Sequence, residues 1–335
     1  MLSPIELLKF GISIRTAIEK LDKKVAVIAS GDLSHTLIKN GPYPYNPHGR
    51  EFDNLLNNCL IREGHRGACN VREANIDEDG LLKLYSLNYG EVTSMAIDPI
   101  EKKPLYQFYP GSKILSVGSF GCNFKCSFCQ NYSISQYRAE SKYISPEEMA
   151  EMSLNIKDNI GLAFTYNEPS IWFEYVLDVA KTIKSIDKNH KIVLVSNGYI
   201  SDEPLKELLP YIDAMNIDLK GNDSYYRRLC FGSIEEVKRT IKKANDYEKH
   251  IEVTTLLLPK ENTDDETLLE IAKFLTSIDK SIPLHVSRYF PRYKMEGPPT
   301  SLEEMRKSYK LLKKYLDNVY LGNLSEEEYK YCIEG

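Results

Sequence analysis

The sequence lacks the features that would take it to a membrane or a polynucleotide. No apolar run of about 18 residues occurs, so no transmembrane helix is expected. Residues 1–12 have no basic segment ahead of an apolar core and no small-residue cleavage site, so no signal peptide is expected. Neither sign of charge dominates: 43 Lys and Arg against 48 Asp and Glu give a formal net charge of −5. That excludes the basic footprint of a nucleic-acid or anionic-membrane binder. The basic pairs Lys238-Arg239 and Lys242-Lys243 sit in alternating-charge, helix-periodic surroundings and read as a solvated face. Cysteine is scarce, at seven in 335 residues. Without an export signal, these are expected to be reduced thiols and metal ligands of a cytoplasmic protein rather than disulfides. A composition of 42% hydrophobic and 27% charged residues is that of a globular protein, long enough for one large domain and an appendage.

Three cysteines stand together in Gly121-Cys122-Asn123-Phe124-Lys125-Cys126-Ser127-Phe128-Cys129-Gln130-Asn131. Their spacing is Cys-x-x-x-Cys-x-x-Cys, and no fourth follows nearby. A ferredoxin run supplies four thiolates to a [4Fe–4S] cluster. Three leave one iron without a protein ligand, open to a small molecule. A tetrahedral zinc site wants a fourth Cys or His close by, and the nearest histidines, His65 and His190, are far off in sequence. A structural metal knot or a few buried thiols is the blander alternative. Gly118 and Gly121 let the backbone turn out of a strand expected over 113–117.

This pattern resembles the radical S-adenosylmethionine (radical SAM) superfamily. The resemblance implies that Cys122, Cys126 and Cys129 hold the cluster and that its open iron chelates the amino and carboxylate groups of SAM. One electron from a flavodoxin- or ferredoxin-type donor then cleaves SAM to methionine and a 5′-deoxyadenosyl radical. Phe128 is placed to screen the cluster from water. An oxygen-labile cluster would favour an anaerobic or microaerobic cell.

From residue 113 onward, strand and helix patterns alternate. Strands are expected over 114–117, 162–165, 192–196, 214–218, 250–257 and 283–287, with a possible seventh over 319–322. Helices are expected over 146–156, 169–183, 204–209, 234–243, 266–278 and 301–315, the first with a capping box from Ser145 to Glu148. Repeated βα units imply an α/β fold with a parallel sheet. Right-handed crossovers curl it, and six units fall short of a closed barrel. The expected architecture is a partial (βα)6 parallel barrel of radical SAM type, with ligands at the C-terminal strand ends and an N-terminal α+β extension.

Motifs at those strand ends extend the resemblance over residues 57–325. Thr165-Tyr166-Asn167-Glu168-Pro169-Ser170 stands where the superfamily carries a Gly-Gly-Glu-like motif. Glu168 is implied to hold the amino group of SAM, with Asn167 beside it; helix capping is the structural alternative. Ser196-Asn197-Gly198 and Asp218-Leu219-Lys220 resemble the Thr-Asn-Gly and Asp-Leu-Lys of glycyl-radical activating enzymes. Ser196 is implied to reach the ribose or carboxylate, and Lys220 to neutralise the carboxylate with Asp218 orienting it. Val195 replaces an aspartate thought to help hold a monovalent cation in those enzymes. Arg288, in Ser287-Arg288-Tyr289-Phe290-Pro291, is a candidate for a carboxylate of SAM or substrate. Tyr166, Tyr289 and Phe290 are candidate pocket walls, and Thr255 and Pro259 are placed near adenine. Cys230 and Cys332 read as ordinary thiols, although Cys230 is positioned to approach the site.

Ahead of the core, residues 1–55 resemble a C-terminal fragment of a Memo-like, extradiol-dioxygenase-related protein, through Ser30-Gly31-Asp32-Leu33-Ser34-His35 and Gly49-Arg50-Glu51-Phe52-Asp53. So short a piece cannot bury a full sheet core, and His35 is expected not to be catalytic. Residues 56–112 resemble the extension of a radical SAM subfamily usually found with Memo-like and AMMECR-like proteins. Cys59 and Cys69 are half of that extension's usual cysteines, with His65 as a further zinc donor. A hairpin is expected from 81–89 and 92–97. The segment 98–106 is expected over the mouth of the catalytic domain, with Lys102 and Lys103 solvated or facing an acidic partner. Residues 113–325 form the core domain and 326–335 a tail. The nearest well-understood relatives take a hydrogen from a partner protein, so a protein substrate is expected. A small metabolite is the runner-up, and a non-catalytic Fe–S carrier or sensor is the alternative of another class.

Overall fold

The structure, a computed structural model, describes residues 72–76 and 82–334. The readings of His35, Cys59, His65 and Cys69, and of the first 55 residues as a whole, lie outside the described residues. Among the described residues no helix is long and apolar enough to cross a membrane.

Strand β1 (Arg72–Ile76) pairs antiparallel with β2 (Leu82–Ser86). A turn over 87–90 follows, closed by the Tyr89 amide on the Ser86 carbonyl and the Glu91 amide on the Asn88 carbonyl. It leads to β3 (Glu91–Val92) and β4 (Ser94–Pro99). The expected hairpin of 81–89 with 92–97 does not form. Strand β2 is taken by β1, β3 pairs with β6 (Lys142–Tyr143), and β4 runs antiparallel to β5 (Lys113–Gly118). The turn instead braces the core, since the Asn88 side chain donates to the Phe120 carbonyl at 3.3 Å, just ahead of the cysteine loop.

The main sheet has the order β12-β11-β10-β9-β8-β7-β5-β4, with β7 (Asn159–Phe164), β8 (Lys191–Ser196), β9 (Ala214–Asp218), β10 (His250–Leu257), β11 (Leu284–Arg288) and β12 (Val319–Gly322). Every neighbouring pair from β5 to β12 is parallel. The possible seventh strand is therefore a full member, and Pro99 sits in the antiparallel edge strand, where a missing N–H is tolerated. The helices α1 (Pro146–Asn155), α2 (Phe173–Ile186), α3 (Asp202–Leu208), α4 (Ile234–Asp246), α5 (Asp265–Thr276), α6 (Leu302–Leu312) and α7 (Glu326–Glu334) alternate with the strands or follow them. The capping box at Ser145 and Glu148 forms, and a second one caps α6 through Ser301 and Glu304. The helix expected from 169 opens as a tight turn, Pro169–Trp172, before α2 proper, because the Glu168 side chain captures the Ser170 amide there.

Alternation along each strand gives the sheet two faces. Leu115, Phe164, Leu194, Ile217, Val253 and Val286 pack outward into the main core with the helices. Ile114, Ala163, Val193 and Ala214 face inward and meet Ile100, Leu105 and Phe108 in a second cluster. Each large apolar side chain buried there contributes roughly 1.5–3 kcal/mol. The segment carrying those three residues thus lies across the N-terminal strand ends, not over the mouth. The geometry of β4 dictates this: Pro99 is opposite Lys113 at the start of β5, so the chain leaves β4 at the base. Further on, the Tyr106 and Gln107 amides bind Glu252 at 3.0 and 2.8 Å, and the Gln107 side chain reaches the Tyr320 hydroxyl. One segment thereby touches strands from both ends of the sheet, which curls around it. Contrary to expectation, Lys103 is not solvated. It is 2% exposed, with its ammonium 2.8 Å from Asp98.

Candidate active site

The cysteine loop leaves β5 through Gly118, whose missing side chain is required. A Cβ there would lie 2.6 Å from the Thr165 carbonyl and 3.0 Å from the Tyr166 Cβ. Asn167, after β7, binds this exit three times. It accepts from the Ser119 amide at 2.9 Å and donates to the Phe120 and Gly121 carbonyls at 3.4 and 3.3 Å. Asn123, inside the loop, donates to the Tyr199 carbonyl at 2.6 Å and accepts from Asn197 at 2.8 Å. Asn197 also lies 3.6 Å from the Cys122 sulfur. The far side of the loop rests on a π-turn, Tyr226–Cys230, through the Lys125 amide on the Cys230 carbonyl and the Ser127 amide on the Leu229 carbonyl. Gly232 makes room for the Phe124 ring, which would otherwise lie 2.3 Å from a Cβ.

Glu168 is fully buried between the ends of β7 and β8. It accepts from the Ser196 hydroxyl and the Asn197 amide, both at 2.7 Å, and from the Ser170 amide at 2.9 Å. Burial pushes its pKa up, and these bonds pull against that rise. Of its two expected roles the structure shows the cap: it closes the turn at Ser170, and it also gathers Ser196 and Asn197 behind the loop. Lys220, 12% exposed, forms an ion pair with Asp218 at 2.5 Å. Burial lowers its pKa, but the Asp218 carboxylate and the thiols of Cys126 and Cys230 outweigh that and hold it well above the usual lysine range.

Several other residues have different company from that expected. Arg288 donates to the Thr300 carbonyl at 2.7 Å and pairs with Glu328 of α7 at 2.8 Å. Tyr289 is 1% exposed within the main core, so it packs rather than lining a pocket. Thr255 is buried, its hydroxyl on the Leu219 carbonyl at 2.6 Å. Cys230 comes closer than an ordinary thiol would: together with burial it pushes the Cys126 thiol well up. Burial likewise raises Cys122 and Cys129. Nothing in the spacing of Cys230, about a hundred residues downstream, announces this proximity; the π-turn that rests against the loop brings it there.

The donor set on the loop is all sulfur, Cys122, Cys126 and Cys129, the kind that iron–sulfur clusters take. Among the described residues no group of three or more His, Cys, Asp or Glu is drawn together as a single metal ion requires. Yet the three thiols of the loop are near enough to shift one another. Ser127 Oγ and Tyr225 OH are buried beside Cys126 without a hydrogen-bond partner, as hydroxyls facing an absent acceptor would be.

Residues 116–275 match the radical SAM superfamily, and residues 1–81 match the catalytic LigB subunit of aromatic ring-opening dioxygenase. The chain is 40% identical over 282 residues to the protein MJ0808 of Methanocaldococcus jannaschii, covering 82% of each chain. The chain belongs to the radical SAM superfamily. Among its relatives is the putative glycyl-radical enzyme activating enzyme MJ1227 of the same organism, 26% identical over 65% of this chain and 92% of that one. Streptococcus suis SuiB bound to S-adenosylmethionine is similar in fold, with a TM-score of 0.52 at 14% identity, over 64% of this chain and 51% of that one.

Proposed function

We propose that this radical SAM protein is an enzyme that binds a [4Fe–4S] cluster and SAM and removes a hydrogen atom from a protein substrate, as a glycyl-radical activating enzyme does. The observation that carries this reading is the meshing of strand-end motifs with the cysteine loop. Asn167 and Asn197 hydrogen-bond the loop directly, and Glu168 fixes Asn197 from behind. A simple electron carrier has no need of strand-end motifs built onto its ligand loop. MJ1227, matched over nearly its whole length, supports the choice of a protein substrate.

The residues that would hold the cluster are Cys122, Cys126 and Cys129. When bound, the cluster and SAM supply a primary carbon radical by reductive cleavage of SAM. The protein's own work is to position and exclude. Lys220, kept charged by Asp218, offers an ammonium to a carboxylate. Ser196 and Asn197, both buried, hold Glu168 and the cysteine loop in register at the end of β8. Phe124 and Phe128, 1% and 3% exposed, keep water from the loop. A hydrogen-atom transfer then needs only a near-attack contact held by a rigid wall.

Anaerobic reconstitution with iron and sulfide, followed by SAM and dithionite, is the test. Formation of 5′-deoxyadenosine and a SAM-induced change in the cluster's EPR signal are expected. Absence of both would leave the carrier as the better reading.

A further inference from the structure

Tyr166 takes the place where the superfamily motif has a glycine, and it keeps the glycine-like backbone, with φ of 71°. A bulky residue in the left-handed region is held there by its surroundings. Here the restraints are on both sides. Its carbonyl accepts from Asn131 at 2.7 Å, two residues beyond Cys129. Its phenol donates to Asp98 at 2.7 Å, on the edge strand opposite Ile114. One residue therefore joins the cysteine loop, through its main chain, to the interior of the curled sheet, through its phenol.

Asp98 is itself unusual. It is buried, with Lys103 2.8 Å from the same oxygen that Tyr166 uses and Lys102 3.1 Å from the other. The Lys103 ammonium lies 4.6 Å from the centre of the Tyr166 ring. Lys102 is 67% exposed, so the carboxylate is linked to bulk water on one side and to the phenol on the other. A buried ion pair gives little stability over apolar packing of the same volume. Its presence beneath a phenol calls for another role.

We propose that Tyr166 is a hydrogen-atom donor to carbon radicals in the sheet interior, and that Asp98, with Lys102 and Lys103, is the path by which its phenolic hydrogen is replaced from solvent. The proposal rests on the radical reading above. In the transfer, the phenol turns from Asp98, its O–H bond breaks, and a C–H bond forms at the radical carbon. The transfer is downhill, because a phenolic O–H bond is weaker than the C–H bond of a primary alkyl group. The phenoxyl left behind takes one electron from the low-potential donor that the enzyme already requires. It takes one proton through Asp98, and the phenol is restored.

The test uses the reconstituted full chain in D2O with SAM and dithionite and no added substrate. Wild-type protein is expected to place solvent deuterium in 5′-deoxyadenosine, and Tyr166→Phe to lose most of that label while retaining iron and the SAM-induced EPR change. Asp98→Asn keeps the phenol but slows its reloading. Freeze-quenched samples of that variant, grown on ring-deuterated tyrosine, are expected to show a phenoxyl EPR signal narrowed by the label. An unchanged deuterium content in Tyr166→Phe, or no phenoxyl signal in Asp98→Asn, overturns the proposal alone if 5′-deoxyadenosine still forms. If no 5′-deoxyadenosine forms in wild type, the radical reading falls and this one with it.

Discussion

The side-chain amide of Asn197 donates to the side-chain carbonyl of Asn123 at 2.8 Å, tying the end of β8 to the middle of the cysteine loop. Asn123 also holds the Tyr199 carbonyl, and it is 8% exposed. Asn123→Ala would strand buried polar groups at a cost of roughly 1–3 kcal/mol. Thermal unfolding of the cluster-free protein should show that loss, and iron per chain after reconstitution should fall. Unchanged iron with lowered stability would mean that the loop keeps its ligand geometry without this tie.

Cys230 lies near enough to raise the Cys126 pKa, but only Cys126 belongs to the loop. Cys126→Ala is expected to abolish the cluster's absorption and EPR signal. Cys230→Ala is expected to retain full iron and sulfide. Equal losses from both would make Cys230 a ligand and close the corner that SAM needs.

Lys220→Met removes a charge that Asp218 holds in place. Affinity for SAM, followed by the EPR change on titration, is expected to fall by roughly tenfold or more, the value of one charge-assisted bond at about 1.5–3 kcal/mol. Iron content should not change. Undiminished affinity would take Lys220 out of the cofactor site.

The parallel core was legible because its signals are local. β-branched runs and capping residues named the strands and the starts of helices such as α1 at Ser145. The cysteine spacing was legible for the same reason. What the sequence hid was long-range. The partner of β4 is decided by which neighbour completes the sheet, and alternation at 92–97 suits β2 and β5 equally. Lys103 reads as a surface residue until its path beneath the sheet brings it to Asp98. Arg288 reads as available because Glu328, its partner, lies 40 residues away on a helix where the sequence suggests only a tail. Of the partners of Glu252 only His250 is local: His285 and the two amides come from segments far along the chain.

That carboxylate makes acid stability a readable property. Glu252 is wholly buried, yet hydrogen bonds from His250, His285 and the Gln107 and Tyr106 amides outweigh burial and bring its pKa down from 4.5 to about 2. A depressed carboxylate stabilises the folded state above its unfolded pKa, and this contribution is lost as pH falls through the folded one. The window is therefore from about pH 4.5 down to about pH 2. The shift corresponds to a contribution on the order of 3 kcal/mol. Glu252→Gln should lower stability at neutral pH and flatten the acid limb of the stability curve. A limb of unchanged slope would place the acid sensitivity elsewhere.

Because Ile100, Leu105 and Phe108 stopper the base of the sheet, its inner face is closed at that end. Whatever reacts on that face must come and go past the rim that carries the cysteine loop or between the unpaired edges β4 and β12. A cofactor seated on that rim would then guard one of the two approaches. Large reactants would queue behind it or present only a protruding loop, and spent products would have to clear the doorway before the next turnover begins.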